Sequence, residues 1–367
     1  MIQKILKERE LPDLLAGADA ESWPMRRKEI LNILSENVYG VTPVFDTEPY
    51  SFIEARDENA YGGTAIQEWV RLSFQTPGGM YSFPFQLLIP KKEEPVPAFV
   101  HLSFQQRELN PLGVASLREP MPGEEILSEG YAVANLFYES ITSDRCVKDG
   151  LAMAYPGDGG NGWGKIGMWA FAASRVLDYL LSRKEIDNSR IAVGGWSRLG
   201  KTALWCGAQD ERFSAVFATE SGCSGAALQR GKAGEQIEDI VGRFDYWFCP
   251  NYGKYRGREK EMPFDQHFLL ACIAPRPLFI GSAKEDEWAD PLSEFLGAAA
   301  ASEAYRLLGG RGLEVPKQWT DAESGIRLEP DRLLADGEIG YFMRRGTHGM
   351  SRMDWLAHLR FRDIHRV

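Results

Sequence analysis

The segment of residues 191–204 reads IAVGGWSRLGKTAL. It begins with an apolar run, passes through two glycines to Ser197, and continues into a helical pattern. A sharp turn from a strand into a helix exposes a serine hydroxyl beyond the carboxyl end of a sheet, and its tight packing requires small flanking residues. The pattern therefore predicts a nucleophilic serine at a strand–helix turn.

The glycine spacing leaves a second interpretation of Ser197 open. The usual form of this turn is Gly-x-Ser-x-Gly, whereas here Gly200 follows the serine by three residues. A serine immediately before a helix is also a common N-cap. Ser197 is thus either a nucleophile or only the cap of the helix that follows it.

Short apolar runs alternate with helical stretches from about residue 97 onward, and residues 163–181 are one such helix. Because the runs lack polar alternation, they are typical of parallel strands that are buried on both faces. The βαβ rhythm predicts an α/β protein with a doubly wound, mostly parallel sheet, which together with the serine turn indicates the α/β-hydrolase fold. The predicted strands are 98–102, 131–137, 190–193, 215–218, 277–281 and 339–343.

The remaining organisation predicts a single domain over residues 1–367. Residues 1–95 form an N-terminal extension, with a helix over 25–36 and a β-hairpin. Residues 96–367 form the catalytic core, in which the aromatic-rich segment 221–275 is long for one connection and is predicted to be a pocket wall or lid. The two hairpin strands are 66–74 and 81–89.

Composition narrows the class of function. The formal net charge is -10 over 367 residues, which argues against a nucleic-acid partner. No apolar run has the length of a membrane span or a signal peptide, so we expect no membrane partner and a cytoplasmic protein, or a secreted one if a leader peptide was removed. The five cysteines form no CxxC pair, which favours reduced thiols. The oligomeric state is left open.

A nucleophilic serine needs a histidine base that comes later in the chain. His348 fits, because it follows the last predicted strand and lies between Gly346 and Gly349. The alternative is a loop histidine with no chemical role. The other histidines are less suitably placed, in an early strand, in the long connection and near the C-terminus: His101, His267, His358 and His365.

Two carboxylates compete to orient that histidine. Asp286 follows the strand 277–281, which is the usual position of the acid in this fold. Glu220 follows the strand after the serine turn, and this position also faces the carboxyl end of the sheet. The residues alone leave the choice between Asp286 and Glu220 open.

Several neighbours of the serine are candidates for stabilising charge and binding substrate. The backbone N–H and the guanidinium of Arg198 are candidate oxyanion donors. Lys201 lies one helical turn beyond Ser197, where it can meet a substrate hydroxyl. Trp288, Trp247 and Phe248 are candidates for a wall that stacks on a sugar ring. Phosphate-binding and dinucleotide-binding motifs are absent and the histidines are scattered, so we expect no cofactor and no metal.

At these residues the sequence resembles the glucuronoyl esterases, carbohydrate esterase family fifteen, and especially the bacterial members. The resemblance covers roughly residues 97–360, and the blocks that carry it stand in a fixed order. They are SRLGK at 197–201, ESG at 220–222, GAA at 225–227, WFC at 247–249, PFDQH at 263–267, IAPRP at 273–277, DEWADP at 286–291 and RGTH at 345–348.

The resemblance implies roles for individual residues. Ser197 would be the nucleophile and His348 the base. Glu220 matches the acid of fungal-type members, and Asp286 matches the acid of some bacterial ones. Arg198 would complete the oxyanion hole. The expected contacts with the glucuronoyl group are Lys201, Glu235 and Trp288.

The family cleaves esters that join 4-O-methyl-glucuronic acid on xylan to lignin alcohols. The resemblance therefore implies a serine esterase that acts on a small carbohydrate ester or oligosaccharide. One alternative is an acetyl esterase that acts on acetylated sugars or xylan oligosaccharides. An alternative of another class is a carbohydrate-binding pseudoenzyme.

Overall fold

A ten-stranded mixed sheet organises the chain in the computed structural model, which describes residues 1–44, 48–104, 121–155, 159–321 and 325–367. A separate two-stranded ribbon pairs β9 with β10. The strands are β1 (Tyr50–Ala60), β2 (Ala65–Thr76), β3 (Gly79–Pro90), β4 (Val96–Ser103), β5 (Ala132–Phe137), β6 (Ile186–Trp196), β7 (Ala215–Thr219), β8 (Leu278–Ala283), β9 (Thr320–Asp321), β10 (Gly325–Ile326), β11 (Leu333–Leu334) and β12 (Ile339–Arg344).

The strand order of the large sheet is β1-β2-β3-β5-β4-β6-β7-β8-β12-β11. The six strands from β5 to β12 pair in parallel, which confirms the predicted α/β fold with its mostly parallel sheet. All six predicted core strands exist, and the predicted hairpin is the antiparallel pair β2–β3 with Thr76 opposite Gly79. The edge strands β1 and β11 were not predicted; β1 is rich in charged residues and largely exposed.

Helices cover both faces of the sheet. Alternate residues of β4 point to opposite faces, so Val100 belongs to one apolar cluster and Phe99 to the other. The first cluster packs against α5, α6, α8 and α9, and the second against α3 and α10. The helices are α1 (Ile2–Glu8), α2 (Trp23–Leu34), α3 (Gly123–Ser128), α4 (Leu151–Ala154), α5 (Lys165–Leu181), α6 (Arg198–Gln209), α7 (Ile237–Phe244), α8 (His267–Ala271), α9 (Pro291–Leu307) and α10 (Arg352–His365).

The N-terminal extension joins the core directly. Its strand β3 pairs with β5, so one sheet runs through both parts of the chain. The predicted helix over 25–36 is α2, which begins at Trp23 and ends at Leu34. Buried Arg27 of this helix donates hydrogen bonds to the carbonyl oxygens of Ala208 (2.6 Å) and Cys272 (2.8 Å).

The segment 221–275 contains α7, α8 and several 3-10 turns. Its last part is packed core, because α8 contacts both α2 and α9. All five cysteines are free thiols. Within the described part of the chain, no helix combines the length and the apolar character needed to cross a bilayer.

Candidate active site

Ser197 lies at a strained turn between β6 and α6. Its backbone has φ 57° and ψ -130°, a conformation that is costly for a residue with a side chain, and its N–H donates to the Thr219 carbonyl at 2.8 Å. A Cβ on Gly195 would lie 2.5 Å from the Leu199 carbonyl oxygen, so only glycine fits there. Gly200, three residues after the serine, lets α6 approach the end of β7, because a Cβ there would lie 3.1 Å from the Thr219 carbonyl oxygen.

The Ser197 side chain faces a histidine and does not cap the helix. No capping hydrogen bond is made by this residue, although it holds the N-cap position of α6. Its Oγ lies 2.9 Å from His348 Nε2. The other four histidines have partners elsewhere: His101 packs on Trp355, His267 meets the Pro12 carbonyl, His358 meets Thr219, and His365 meets the Ala335 carbonyl.

Both candidate acids reach the same nitrogen of His348. Nδ1 lies 2.7 Å from Asp286 Oδ2 and 3.2 Å from Glu220 Oε2. Asp286 follows β8 and Glu220 follows β7, and these strands are neighbours in the sheet. The parallel order therefore delivers both carboxylates to the histidine that follows β12.

Glu220 has further partners that Asp286 lacks. It is fully buried, its Oε1 accepts from Arg344 Nη2 at 2.5 Å, and its Oε2 accepts from the Gly349 N–H at 2.7 Å. Arg344 also donates to Asp354 (2.9 Å) and to the Thr347 carbonyl (2.8 Å). Asp286 thus makes the shorter contact with His348. One carboxylate oxygen of Glu220 accepts from Arg344, and the other accepts from the loop that carries the histidine.

The acids change the basicity of His348. Partial burial lowers the pKa of the imidazole, but the hydrogen bonds of Asp286 and Glu220 outweigh it and raise the pKa to about 9. Burial also raises the pKa of Glu220, an effect that His348 and Arg344 oppose. These surroundings favour the imidazolium, which is the form that a general base reaches when it takes a proton.

An aromatic clamp holds the guanidinium of Arg198, the residue that follows the serine. Its Cζ lies 4.6 Å from the ring centroid of Trp247 and 5.7 Å from that of Phe244. It forms an ion pair with Asp144, whose carboxylate also accepts from Trp247 Nε1 at 2.6 Å. Burial lowers the pKa of Arg198, and the clamp fixes the position of this cation.

Lys201, Glu235 and Trp288 lie near one another. Buried Lys201 donates from Nζ to the Ser221 carbonyl at 2.7 Å. Burial lowers its pKa, and the charge of Glu235 opposes this shift. The Glu235 N–H donates to the Trp288 carbonyl at 2.9 Å, and this contact joins the loops that carry the two residues.

The predicted aromatic wall is only partly open. Trp288 is 46% exposed, whereas Trp247 and Phe248 are 4% and 3% exposed. The prediction that Trp247 and Phe248 form part of a sugar-binding wall is therefore wrong, because both rings are buried. Trp247 stacks on Phe244 with ring centroids 4.0 Å apart, and Phe248 packs on Tyr252. A cavity of about 530 Å³ borders this segment, but neither Ser197 nor His348 lines it.

Ligand atoms of Glu220, Asp286 and His348 lie within 4.8 Å of one another, a donor set that metals also use. Their contacts do not fit a cation. Both ring nitrogens of His348 already make hydrogen bonds, and the Arg344 guanidinium donates a hydrogen bond to the Glu220 carboxylate. A divalent ion there would meet the positive charge of Arg344.

Two residues at the site were not identified from the sequence. Arg344 is the last residue of β12, four positions before His348, and its place in the chain was the only available signal. Asp144 lies in a loop after β5, among ordinary loop residues. Only the folded chain brings it to Arg198, so no local pattern indicates it.

The serine lies at a strained strand–helix turn of a doubly wound sheet, and it is hydrogen-bonded to a histidine that meets a carboxylate. The three residues follow the chain order Ser, acid, His. These features define an α/β-hydrolase of the serine type. Comparison with known proteins gives the family. A family model described as glucuronyl esterase, fungi, matches residues 72–309.

Three relatives extend the match over nearly the whole chain. A carbohydrate esterase of an unknown prokaryotic organism is 35% identical over 97% of this chain and 89% of its own length. The structure of a glucuronoyl esterase from Solibacter usitatus is 34% identical, has a TM-score of 0.85, and covers 96% of this chain and 97% of its own. A promiscuous esterase of carbohydrate esterase family fifteen, from a marine bacterial metagenome, is 32% identical, has a TM-score of 0.85, and covers 97% and 96%.

The chain belongs to the glucuronoyl esterase family. The resemblance seen in the sequence is therefore confirmed, and with it the class of enzyme, a carbohydrate ester hydrolase.

Proposed function

We propose that the protein hydrolyses glucuronoyl esters of carbohydrates through an acyl-enzyme on Ser197. The observation that carries the proposal is the continuous chain from Ser197 Oγ to His348 Nε2 (2.9 Å) and from His348 Nδ1 to Asp286 Oδ2 (2.7 Å). Names of the relatives support the substrate class, because curated relatives that match part of the chain are called 4-O-methyl-glucuronoyl methylesterases.

The reaction has two steps. His348 Nε2 takes the Ser197 proton while Oγ attacks the ester carbonyl, and the resulting imidazolium gives that proton to the departing alcohol. Water then attacks the acyl-enzyme, with His348 again acting as base, and the uronic acid leaves. Neither step requires a cofactor.

Attack on the ester carbonyl gives a tetrahedral intermediate with a negatively charged oxygen, and hydrogen-bond donors that are already in place stabilise this charge. The Arg198 N–H is at the first residue of α6, where a backbone N–H has no partner within its own helix. The Arg198 guanidinium, held by Asp144 and Trp247, supplies a positive field from a fixed position. We assign both groups of Arg198 to oxyanion stabilisation.

The two acids have different roles in this proposal. Asp286 makes the shorter contact and holds the Nδ1–H tautomer, so that Nε2 is free to accept the serine proton. Glu220 adds negative charge near the imidazolium, and with Arg344 it holds the loop of Gly349. Asp286 is therefore the main triad acid and Glu220 its auxiliary.

We assign recognition of the sugar to Lys201, Glu235 and Trp288. Trp288 is 46% exposed, with Arg243 Cζ 5.5 Å from its ring centroid, and a pyranose ring can stack on the part of the indole that stays open. Lys201 and Glu235 together present a donor and an acceptor of opposite charge to sugar hydroxyls. An acetyl ester has no part that reaches all three.

The test is hydrolysis of benzyl glucuronate beside p-nitrophenyl acetate, for the wild type and for Ser197→Ala. We expect the glucuronate ester to be cleaved with the higher kcat/KM, and the serine variant to lose activity on both. His348 remains in that variant, so any residual turnover measures catalysis without the nucleophile.

Other outcomes separate the alternatives. Serine-dependent cleavage of the acetate alone would establish an acetyl esterase and contradict the uronate assignment. Inertness of the wild type towards both esters, with sugar binding intact, would establish a binding pseudoenzyme. Full activity in Ser197→Ala would remove Ser197 as the nucleophile.

A further inference from the structure

Glu294, in the first turn of α9, is a fully buried carboxyl that the proposed mechanism does not use. Its Oε2 lies 2.7 Å from Ser282 Oγ, and its Oε1 accepts from the Gly222 N–H at 2.8 Å. Ser221 Oγ is 3.4 Å from the same Oε1. A buried acid is costly unless its polar atoms are satisfied, so this set of partners explains how it is tolerated.

These partners belong to the two segments that carry the candidate acids. Gly222 follows Glu220 by two residues, and Ser282 lies in β8, four residues before Asp286. Glu220 has a positive φ of 47°, which is costly for a residue with a side chain, so the first segment has a strained backbone that outside contacts must hold. Glu294 supplies two of those contacts and also reaches the second segment.

The two segments also pack against each other. A Cβ on Gly222 would lie 3.1 Å from the Ala289 Cα, and the Ala289 N–H donates to Asp286 Oδ1 at 3.2 Å. Lys201 Nζ holds the Ser221 carbonyl from the other side. A shift of the Ser221–Gly222 peptide would therefore change both the placement of Glu220 and the loop of Asp286.

The surroundings favour the neutral form of Glu294. Burial raises the pKa of its carboxyl to about 8, against the opposing hydrogen bonds of Ser282 and Gly222. Ser282 Oγ and the Gly222 N–H both donate to this carboxyl, so the bridge between the two segments does not depend on a proton on Glu294. The titratable groups that face it are Asp286, Glu220, Lys201 and Tyr341.

We propose that Glu294 is a positioning residue, whose hydrogen bonds tie the Glu220 segment to the Asp286 strand so that both carboxylates face His348 Nδ1. The inference rests on the proposed function of His348 as the base. It does not depend on which ester is the natural substrate.

The experiment compares Glu294→Gln with Glu294→Leu. The amide keeps one acceptor for Gly222 and one donor for Ser282, whereas leucine removes both. We expect the plateau kcat of Glu294→Gln to stay within about threefold of the wild type, and that of Glu294→Leu to fall about 10- to 100-fold through misplacement of the acids. KM should change little in either variant.

A pH profile separates positioning from loss of stability. When the acids move away from Nδ1, the pKa of His348 falls, so the ascending limb of kcat/KM in Glu294→Leu should move to lower pH. Ser302→Ala is the matched control, because Ser302 is a buried hydrogen-bonding residue of α9 that contacts Leu313 and Ala298, away from the site. It should lose thermal stability without moving the limb.

The proposal would be overturned if folded Glu294→Leu kept the kcat and the pH profile of the wild type. It would also be overturned if Glu294→Gln lost as much kcat as Glu294→Leu, or if the ascending limb of the pH profile moved as far in Ser302→Ala as in Glu294→Leu. If Glu294→Leu does not fold, Ser282→Ala removes one end of the bridge, and an unchanged kcat and limb there would also overturn it. Measuring p-nitrophenyl acetate beside benzyl glucuronate keeps this test independent of the substrate, and Ser197→Ala tests the nucleophile separately.

Discussion

The two sides of Ser197 are built differently. On the base side, His348, Asp286 and Glu220 follow strands β12, β8 and β7, which are adjacent in the parallel sheet. On the substrate side, Arg198 and Lys201 come from α6, while their partners come from loops and from the segment 221–275.

This difference separates what the sheet fixes from what loop contacts fix. On the base side, the register of the parallel strands brings the three residues to one edge of the sheet, and contacts such as those of Glu294 with Gly222 and Ser282 hold the segments that carry the acids. The substrate side depends on an ion pair and on stacked rings, such as Arg198 on Trp247. We therefore expect substitutions on the base side and in the clamp around Arg198 to slow the reaction of both esters, and substitutions of the sugar contacts to discriminate between esters.

The largest effect is expected at His348. His348→Ala should lower kcat on the order of 10⁴-fold or more for both esters, because the serine then has no base. The matched control is His365→Ala, which removes a histidine that bonds to the Ala335 carbonyl away from the site. Steady-state kinetics would contradict the account if the two variants lost activity equally.

The two acids should differ next. Asp286→Asn should lower kcat by about 10³-fold, since it disturbs the tautomer that leaves Nε2 free. Glu220→Gln should lower it by about tenfold, because Asp286 still meets Nδ1 at the shorter distance. A larger loss in Glu220→Gln, at equal folded fraction by circular dichroism, would make Glu220 the main acid.

The ion pair of Arg198 is the first test of the substrate side. Asp144→Asn removes the charge that holds the guanidinium, and we expect kcat to fall by about tenfold for both esters. Asp245→Asn serves as the control, because Asp245 is exposed and its carboxylate accepts from the N–H of the neighbouring Tyr246. Unchanged kcat in Asp144→Asn would show that the clamp does not position Arg198 for catalysis.

Substrate discrimination should be visible at Glu235. Glu235→Gln should raise KM for benzyl glucuronate by about tenfold, the cost of a charged hydrogen bond, and leave p-nitrophenyl acetate unchanged. Glu287→Gln, an exposed neighbour of Trp288, is the control. If both esters responded alike to Glu235→Gln, Glu235 would not be a contact of the sugar.

The smallest effect is a shift in pH dependence. Because the base must be neutral and the pKa of His348 is raised to about 9, kcat/KM should rise with pH towards an alkaline plateau. Asp286→Asn removes a group that raises this pKa, so its ascending limb should lie at lower pH. If the ascending limb of the kcat/KM profile lay at the same pH in Asp286→Asn as in the wild type, Asp286 would not interact with the imidazole of the free enzyme.

The comparison of the two sides also explains what the sequence could predict. Six core strands and the hairpin were found because buried runs and turn residues are local signals, while the charged edge strand β1 carried none. Ser197, His348, Asp286 and Glu220 were found by their places after strands. Asp144, Arg344 and Glu294 were missed because their roles depend on contacts between distant segments. The cytoplasmic location stays a prediction.

A serine-directed fluorophosphonate probe tests whether Ser197 is a nucleophile that His348 activates. Peptide mapping by mass spectrometry after labelling should place one adduct on Ser197 in the wild type, with labelling strongly slowed in His348→Ala and absent in Ser197→Ala. An adduct on another residue, or equal labelling of Ser197 with and without His348, would contradict the account.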